Sequence, residues 1–181
     1  LEAAQKAMVL DDSDPSTHAA FSLLYSLQKQ HDKAIASAER ALELAPGEAR
    51  TRFVLGRALM GACRFTEAIQ YTEEAIRLDP FPHSTYFGQL STGYRFVGRY
   101  EEALAQLNKA HKIEPNSLLV NIGLAHTYAI LGRMEEARAA AAEVLRLNPK
   151  FSLENYAKTI FFKEQYAVDF ITEGLRKAGL K

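Results

Sequence analysis

The 181 residues include 22 Lys and Arg matched by 22 Asp and Glu, so there is no formal net charge and no bulk electrostatic attraction to nucleic acid or an anionic membrane surface. Hydrophobic residues make up 48% of the chain, yet no apolar run approaches the roughly 20 residues that cross a bilayer, and no signal-peptide pattern opens the sequence. The only cysteine, Cys63, excludes an intrachain disulfide and makes a reducing, cytoplasmic compartment the expectation.

Taken in chain order, Leu1 to Leu10 reads as the second helix of a truncated repeat. The sequence starts without Met, so the expectation is a fragment of a longer protein, with residues 1–14 closing a preceding repeat. The apolar face around Ala3, Ala7 and Leu10 would then be covered by something upstream or by self-association into a homo-oligomer. Asp14-Pro15 is a helix start, because Asp accepts the free N–H groups of the first turn and Pro fills a position that needs none. Phe21, Leu24, Tyr25 and Gln28 then recur at helical spacing towards Lys29, and a second helix runs from about Asp32 to Ala45 before Pro46-Gly47 stops it.

This pair of helices, A then B, is repeated. The alanines Ala34, Ala68, Ala103 and Ala137 step by 34, 35 and 34 residues, and Pro46, Pro80, Pro115 and Pro149 step identically. Such a period marks stacked helical hairpins rather than independent globular cores. The spacing predicts A helices near 49–63, 85–97 and 118–131 and B helices near 66–78, 100–113 and 134–147. The extra residue of the second period falls at Asp79-Pro80-Phe81-Pro82, where an irregularity in pitch is expected. The A–B turns carry Gly98 and Gly132, which favour a left-handed conformation costing other residues about 1 kcal/mol or more; Lys29 and Cys63 at the matching positions must bear that strain or close differently.

Together, Leu55-Gly56, Tyr25, Tyr94 and Tyr128 in the A helices, the turn glycines, Glu-Ala opening three B helices, the second Ala or Val seven residues later and the closing Pro resemble the tetratricopeptide repeat. The resemblance implies an all-α, right-handed superhelical solenoid of helix-turn-helix repeats over 15–48, 49–83, 84–117 and 118–149, with a C-terminal helical cap over 150–181. Arg52 and Asn121 depart from the bulky aromatic the family prefers in helix A, and Ala38, Thr72, Leu107 and Ala141 from its aromatic in helix B, so lighter inter-repeat packing is expected.

After Pro149, residues 151–158 and 164–177 read as two helices with bulkier apolar side chains, including Phe161, Phe162, Tyr166, Phe170, Ile171 and Leu175. Phe151-Ser152-Leu153-Glu154, Phe162-Lys163 and the run Gly174 to Leu180 resemble the C-terminal end of bacterial class III adenylate/guanylate cyclases that carry tetratricopeptide repeats after their catalytic region. That resemblance implies a parent enzyme whose metal-binding aspartates and nucleotide pocket lie outside this stretch.

No catalytic, metal or cofactor site emerges, and the chain is read as a non-enzyme. His18, His31, His83, His111 and His126 form no HExxH pair or short metal spacing, and Gly88 to Gly93 is followed by Tyr94-Arg95 rather than the Lys-Ser/Thr of a phosphate loop. Cys63 sits in a turn, where a structural role outweighs a nucleophilic one. Glu101-Glu102 and Glu135-Glu136 open B helices, where acids favour the helix dipole.

Binding has the stronger physical case, because stacked A helices line the concave side of such a solenoid. Carried over by phase, the inward positions are Ala19, Leu23, Leu27, Arg50, Phe53, Arg57, Met60, Thr92, Arg95, Phe96, Leu119, Ile122, His126 and Ile130, and the candidate groove is this set without Ala19, Leu27, Leu119 and Ile130. The set contains Arg and aromatics, which anchor interfaces, and no acid. The Lys and Asn of the family's chaperone-tail clamp are replaced by Ala19, Leu23 and Val54, so that adaptor role is not expected. The expected partner is a protein or peptide, apolar or acidic in character, or another domain of the same chain, so the expectation is a regulatory interaction module of the cyclase-like parent, with a free-standing adaptor or a self-association module as the alternatives.

Overall fold

In the computed structural model, residues 13–181 are described; the expectations placed on Ala3, Ala7 and Leu10 lie outside the described residues. Among them ten α-helices and no strand are present. They are α1 (Pro15–Leu27), α2 (His31–Leu44), α3 (Ala49–Gly61), α4 (Phe65–Leu78), α5 (Ser84–Phe96), α6 (Tyr100–Ile113), α7 (Leu118–Ile130), α8 (Met134–Leu147), α9 (Leu153–Thr159) and α10 (Gln165–Lys177). The architecture is the all-α helical repeat expected from the period.

The chain forms two compact units, and the division between Phe81 and Pro82 falls in the double-proline loop that breaks the period. The first unit contains α1 to α4, and the tripeptide Phe161–Lys163 also belongs to it. The second contains α5 to α10. In the first, each A helix packs on its own B helix, α2 also packs on α3, and the A helices α1 and α3 touch. The second repeats this with α5 on α6, α7 on α8, α6 on α7 and α5 against α7, and α10 lies on α7.

The periodic alanines explain this packing. Ala34, Ala68, Ala103 and Ala137 are fully buried, as are Ala41, Ala75, Ala110 and Val144 seven residues later. Two turns of each B helix therefore present a small side chain to the neighbouring helix, which permits close backbone approach and defines the hairpin register. Asp14 caps α1 as expected, accepting from the N–H groups of Ser16 and Thr17 at 3.0 and 3.1 Å.

All four A–B turns adopt one geometry. Gly98 and Gly132 have φ of 78° and 74°, and Lys29 and Cys63 accept the same left-handed conformation at 57° and 61°. In each turn the following N–H donates to a carbonyl five residues back: Gln30 to Tyr25, Arg64 to Leu59, Arg99 to Tyr94 and Arg133 to Tyr128, all at 2.9 Å. The repeated hydrogen bond holds the turn in place where glycine is missing.

The two A-helix departures from the family pattern, Arg52 and Asn121, are filled by polar links. Arg52 Nε reaches Glu74 at 3.1 Å and its guanidinium also donates to the Pro46 carbonyl. Asn121 is buried, and its amide donates to the carbonyls of Pro115 and Ser117 at 3.1 and 2.9 Å. Each ties an A helix to the loop before it, a role an aromatic could serve only by packing.

Candidate functional site

The candidate groove residues do not form one open row; much of the A-helix face is engaged by the segment after Pro149. In the first unit Leu23 is half-buried on α1, while α3 presents Arg50 to solvent, holds Phe53 half-buried and buries Met60 at 2% exposure. Arg57, one turn before Met60, has its guanidinium over the ring of Phe161, 5.1 Å from the centroid. Burial pushes its pKa below the usual value.

Phe161 can lie there because the next residue on that face is Gly61. A Cβ at Gly61 would stand 2.9 Å from Phe161 Cδ2, closer than two such carbons approach. Gly61 is also the last residue of α3, so its carbonyl has no partner within the helix; the Lys163 N–H donates to it at 2.8 Å. Phe162, buried, meets Phe65 edge-on with centroids 6.0 Å apart and an interplanar angle of 80°. His31 closes the seat, its Nδ1 3.3 Å from where a Gly61 Cβ would be. Its pKa is lowered by burial first, with the Lys163 charge adding to the effect.

In the second unit the occupant is a helix. Thr92 Oγ1 bonds the Gly88 carbonyl at 3.0 Å and accepts from Arg95 Nη2 at 2.9 Å. Arg95 is buried, and desolvation brings its pKa to about 10, so it stays charged at neutral pH. The Tyr156 hydroxyl interacts with it electrostatically, although burial is the larger influence and raises the phenol pKa. Phe96 and His126 converge on Phe170 of α10, with ring centroids 5.1 and 4.9 Å apart.

His126 is wholly buried and its Nε2–H donates to the Phe170 carbonyl at 3.1 Å. Burial, reinforced by Arg95, lowers its pKa to about 3 and keeps it neutral. Gly174 makes this fit possible, since a Cβ there would stand 2.4 Å from His126 Cδ2. Ile122, at 3% exposure, is a core residue of α7.

Arg57 and Arg95 are therefore not matched by acids on neighbouring elements: Phe161 serves the first, Thr92 and Tyr156 the second. The Nε atom of each is buried with no hydrogen-bond partner among the described residues. Sequence reasoning placed the bulky tail aromatics in a cap without pairing them with the groove; Gly61 and Gly174 carried no signal beyond their size. Among the described residues no group of three His, Cys, Asp or Glu could hold a metal ion, and no helix is long and apolar enough to cross a membrane.

Helical hairpins repeated at a fixed period, with the chain's own C-terminal segment packed on their A-helix face through guanidinium and aromatic side chains, define a helical-repeat protein. A family model described as tetratricopeptide repeat matches residues 26–86 and 97–158, and the chain belongs to the tetratricopeptide repeat family. Similar curated proteins are Superkiller protein 3 of Schizosaccharomyces pombe, 29% identical over 122 residues covering 67% of this chain, and human Tetratricopeptide repeat protein 6, 27% identical over 155 residues covering 81%. The chain spans 9% and 29% of the lengths of these two relatives.

Solved structures that share the fold include PilW and YrrB. PilW, a type IV pilus biogenesis factor, superposes with a TM-score of 0.76 at 17% identity, covering 97% of this chain and 78% of that one. YrrB, described as a tetratricopeptide repeat protein with an unusual peptide-binding site, gives 0.64 at 22% identity, covering 97% and 90%.

Proposed function

We propose that the chain is a protein-interaction module that holds polypeptide against the A-helix face of its repeats. The observation that carries this reading is the engagement of Arg57, Phe96 and His126 by aromatic side chains and backbone from a separate segment. That combination of guanidinium stacking, ring packing and main-chain hydrogen bonding is how peptides are recognised. Arg50, exposed on the same helix as Arg57, and half-buried Phe53 extend the face towards solvent.

The test compares proteins captured by the wild-type chain with those captured by an Arg50→Glu/Phe53→Ala variant of unchanged thermal stability. Loss of specific partners is expected; an identical set would overturn the assignment of the face. A second reading rests on the tail motif running from Phe151 to Leu180: the module is the regulatory C-terminal part of a cyclase-like parent. The sequence upstream of Leu1 decides it, and a parent without a cyclase domain would remove it.

A further inference from the structure

We infer that the seat formed by His31, Arg57, Gly61 and Phe65 is a recognition site for extended peptides carrying two consecutive aromatic residues, and that Phe161-Phe162-Lys163 is its resident, displaceable occupant. The inference rests on the protein-binding reading above and names the ligand class for that face.

The first argument is the occupant's conformation. Residues 160–164 leave helical geometry between α9 and α10, and Ile160 and Glu164 at either side have extended backbone, with ψ of 126° and 135°. The segment meets the first unit with alternating interactions. Phe161 stacks on Arg57, Phe162 turns its ring edge-on to Phe65, and the Lys163 N–H bonds the Gly61 carbonyl. Main-chain hydrogen bonding combined with separate seats for successive side chains is the pattern by which grooves read extended ligands.

The second argument is that the seat is built into the helix. Gly61 leaves the space that Phe161 uses, and its carbonyl lies at the helix end, where no intrahelical donor exists. The contacts specify the two rings and one backbone N–H, whereas the Lys163 side chain is exposed and adds only a charge near His31. The ligand class is therefore an aromatic-aromatic-X peptide.

The third argument is exchangeability. Phe161 is only half-buried, and beside the two ring contacts the tripeptide makes one backbone hydrogen bond to the seat, from Lys163 to Gly61. Because the occupant is tethered at both ends, its effective concentration suppresses binding of an equivalent free peptide. Removing the two rings from the tether should unmask the seat.

The probe is a fluorescein-labelled nonapeptide with the sequence of residues 158–166, followed by anisotropy. Binding to a Phe161→Ser/Phe162→Ser chain should be at least about 10-fold tighter than to wild type, consistent with loss of an intramolecular competitor. Adding Gly61→Val to that chain should abolish it, and a peptide with both Phe replaced by Ser should not bind. Failure of the emptied, folded chain to bind better than wild type, or binding indifferent to Gly61→Val, overturns the inference. If the double variant does not fold, Phe161→Ser alone carries the same comparison, since its side chain is half-exposed. Should the nonapeptide fail while Arg50→Glu/Phe53→Ala still removes partners, the diaromatic site falls and the protein-binding reading stands; loss of both results removes the reading itself.

Discussion

The two units engage the tail in contrasting ways. In the first, the non-helical tripeptide Phe161–Lys163 rests on Arg57 and Gly61 with one ring half-exposed. In the second, the helix α10 covers α7, placing Leu175 at 0% exposure and Ile171 at 4%, with Phe170 against His126. An amphipathic helix that buries whole side chains behaves as a structural cap, because its removal exposes apolar surface over several turns. The tripeptide, held by a stack, an edge-on ring and a hydrogen bond, buries far less and is the contact proposed above to exchange. The same C-terminal segment thus contributes a capping helix to one unit and a tripeptide to the other.

The contrast is broken most strongly at Leu175. Leu175→Ala should cost roughly 3 kcal/mol, the usual range for a fully buried leucine, and chemical denaturation should show it as a lower midpoint. Phe161→Ala, which removes a half-exposed cation–π contact, should cost about 1 kcal/mol in the same assay. Equal losses would erase the distinction between cap and tripeptide.

A sharper form uses one chemical change at two places. Gly174→Ala drives a methyl into the buried His126 ring and should destabilise by about 1–3 kcal/mol. Gly61→Ala meets the half-exposed Phe161 ring, which can swing away, and gains helix propensity of about 1 kcal/mol. The second variant should therefore lie within about 1 kcal/mol of wild type while its Lys163 amide exchanges faster with solvent.

Acid should act mainly on the cap. His126 keeps a pKa of about 3 when folded, against an ordinary value of 6.5, so between these values the unfolded chain binds the extra proton. Its contribution is fully present above pH 6.5 and is lost as pH falls towards 3, with a slope of up to about 1.4 kcal/mol per pH unit. His31 shifts in the same direction through burial and the Lys163 charge. Denaturation between pH 7 and 4 should show a shallower fall for His126→Gln than for wild type; identical slopes would mean that the imidazole is not held neutral. The smallest effect is expected at the turns, where Cys63→Gly relieves a φ of 61° and should stabilise by about 0.5 kcal/mol in a thermal melt.

The repeat architecture was legible because its signals are local and recur. The alanines that became fully buried, the prolines after each B helix and the glycines of the last two A–B turns all stand at fixed offsets, and helix bounds read from them agree with the structure to within one or two residues. Lys29 and Cys63 show the limit of this reading, since sequence offered two outcomes and the conserved geometry of the turn's hydrogen bond selected the strained one.

The face was less legible. The phase of the A helices named Arg57, Phe96 and His126, but it also named Met60 and Ile122, which are core residues, because helical phase gives direction and not depth of cover. What lies over that face depends on contacts such as Gly61 with Phe161 and His126 with Phe170, between residues far apart in the chain.

By itself, then, the sequence determined the hairpin repeat, through small residues that set helix spacing and breakers that set helix length, both encoded within one period. Only the tertiary structure decided that Gly61 would admit Phe161 and Gly174 would admit His126, and so which parts of the A-helix face are filled by a capping helix and which by the non-helical tripeptide. Close approach between residues far apart in the chain leaves no periodic trace; it exists only once the backbones are packed.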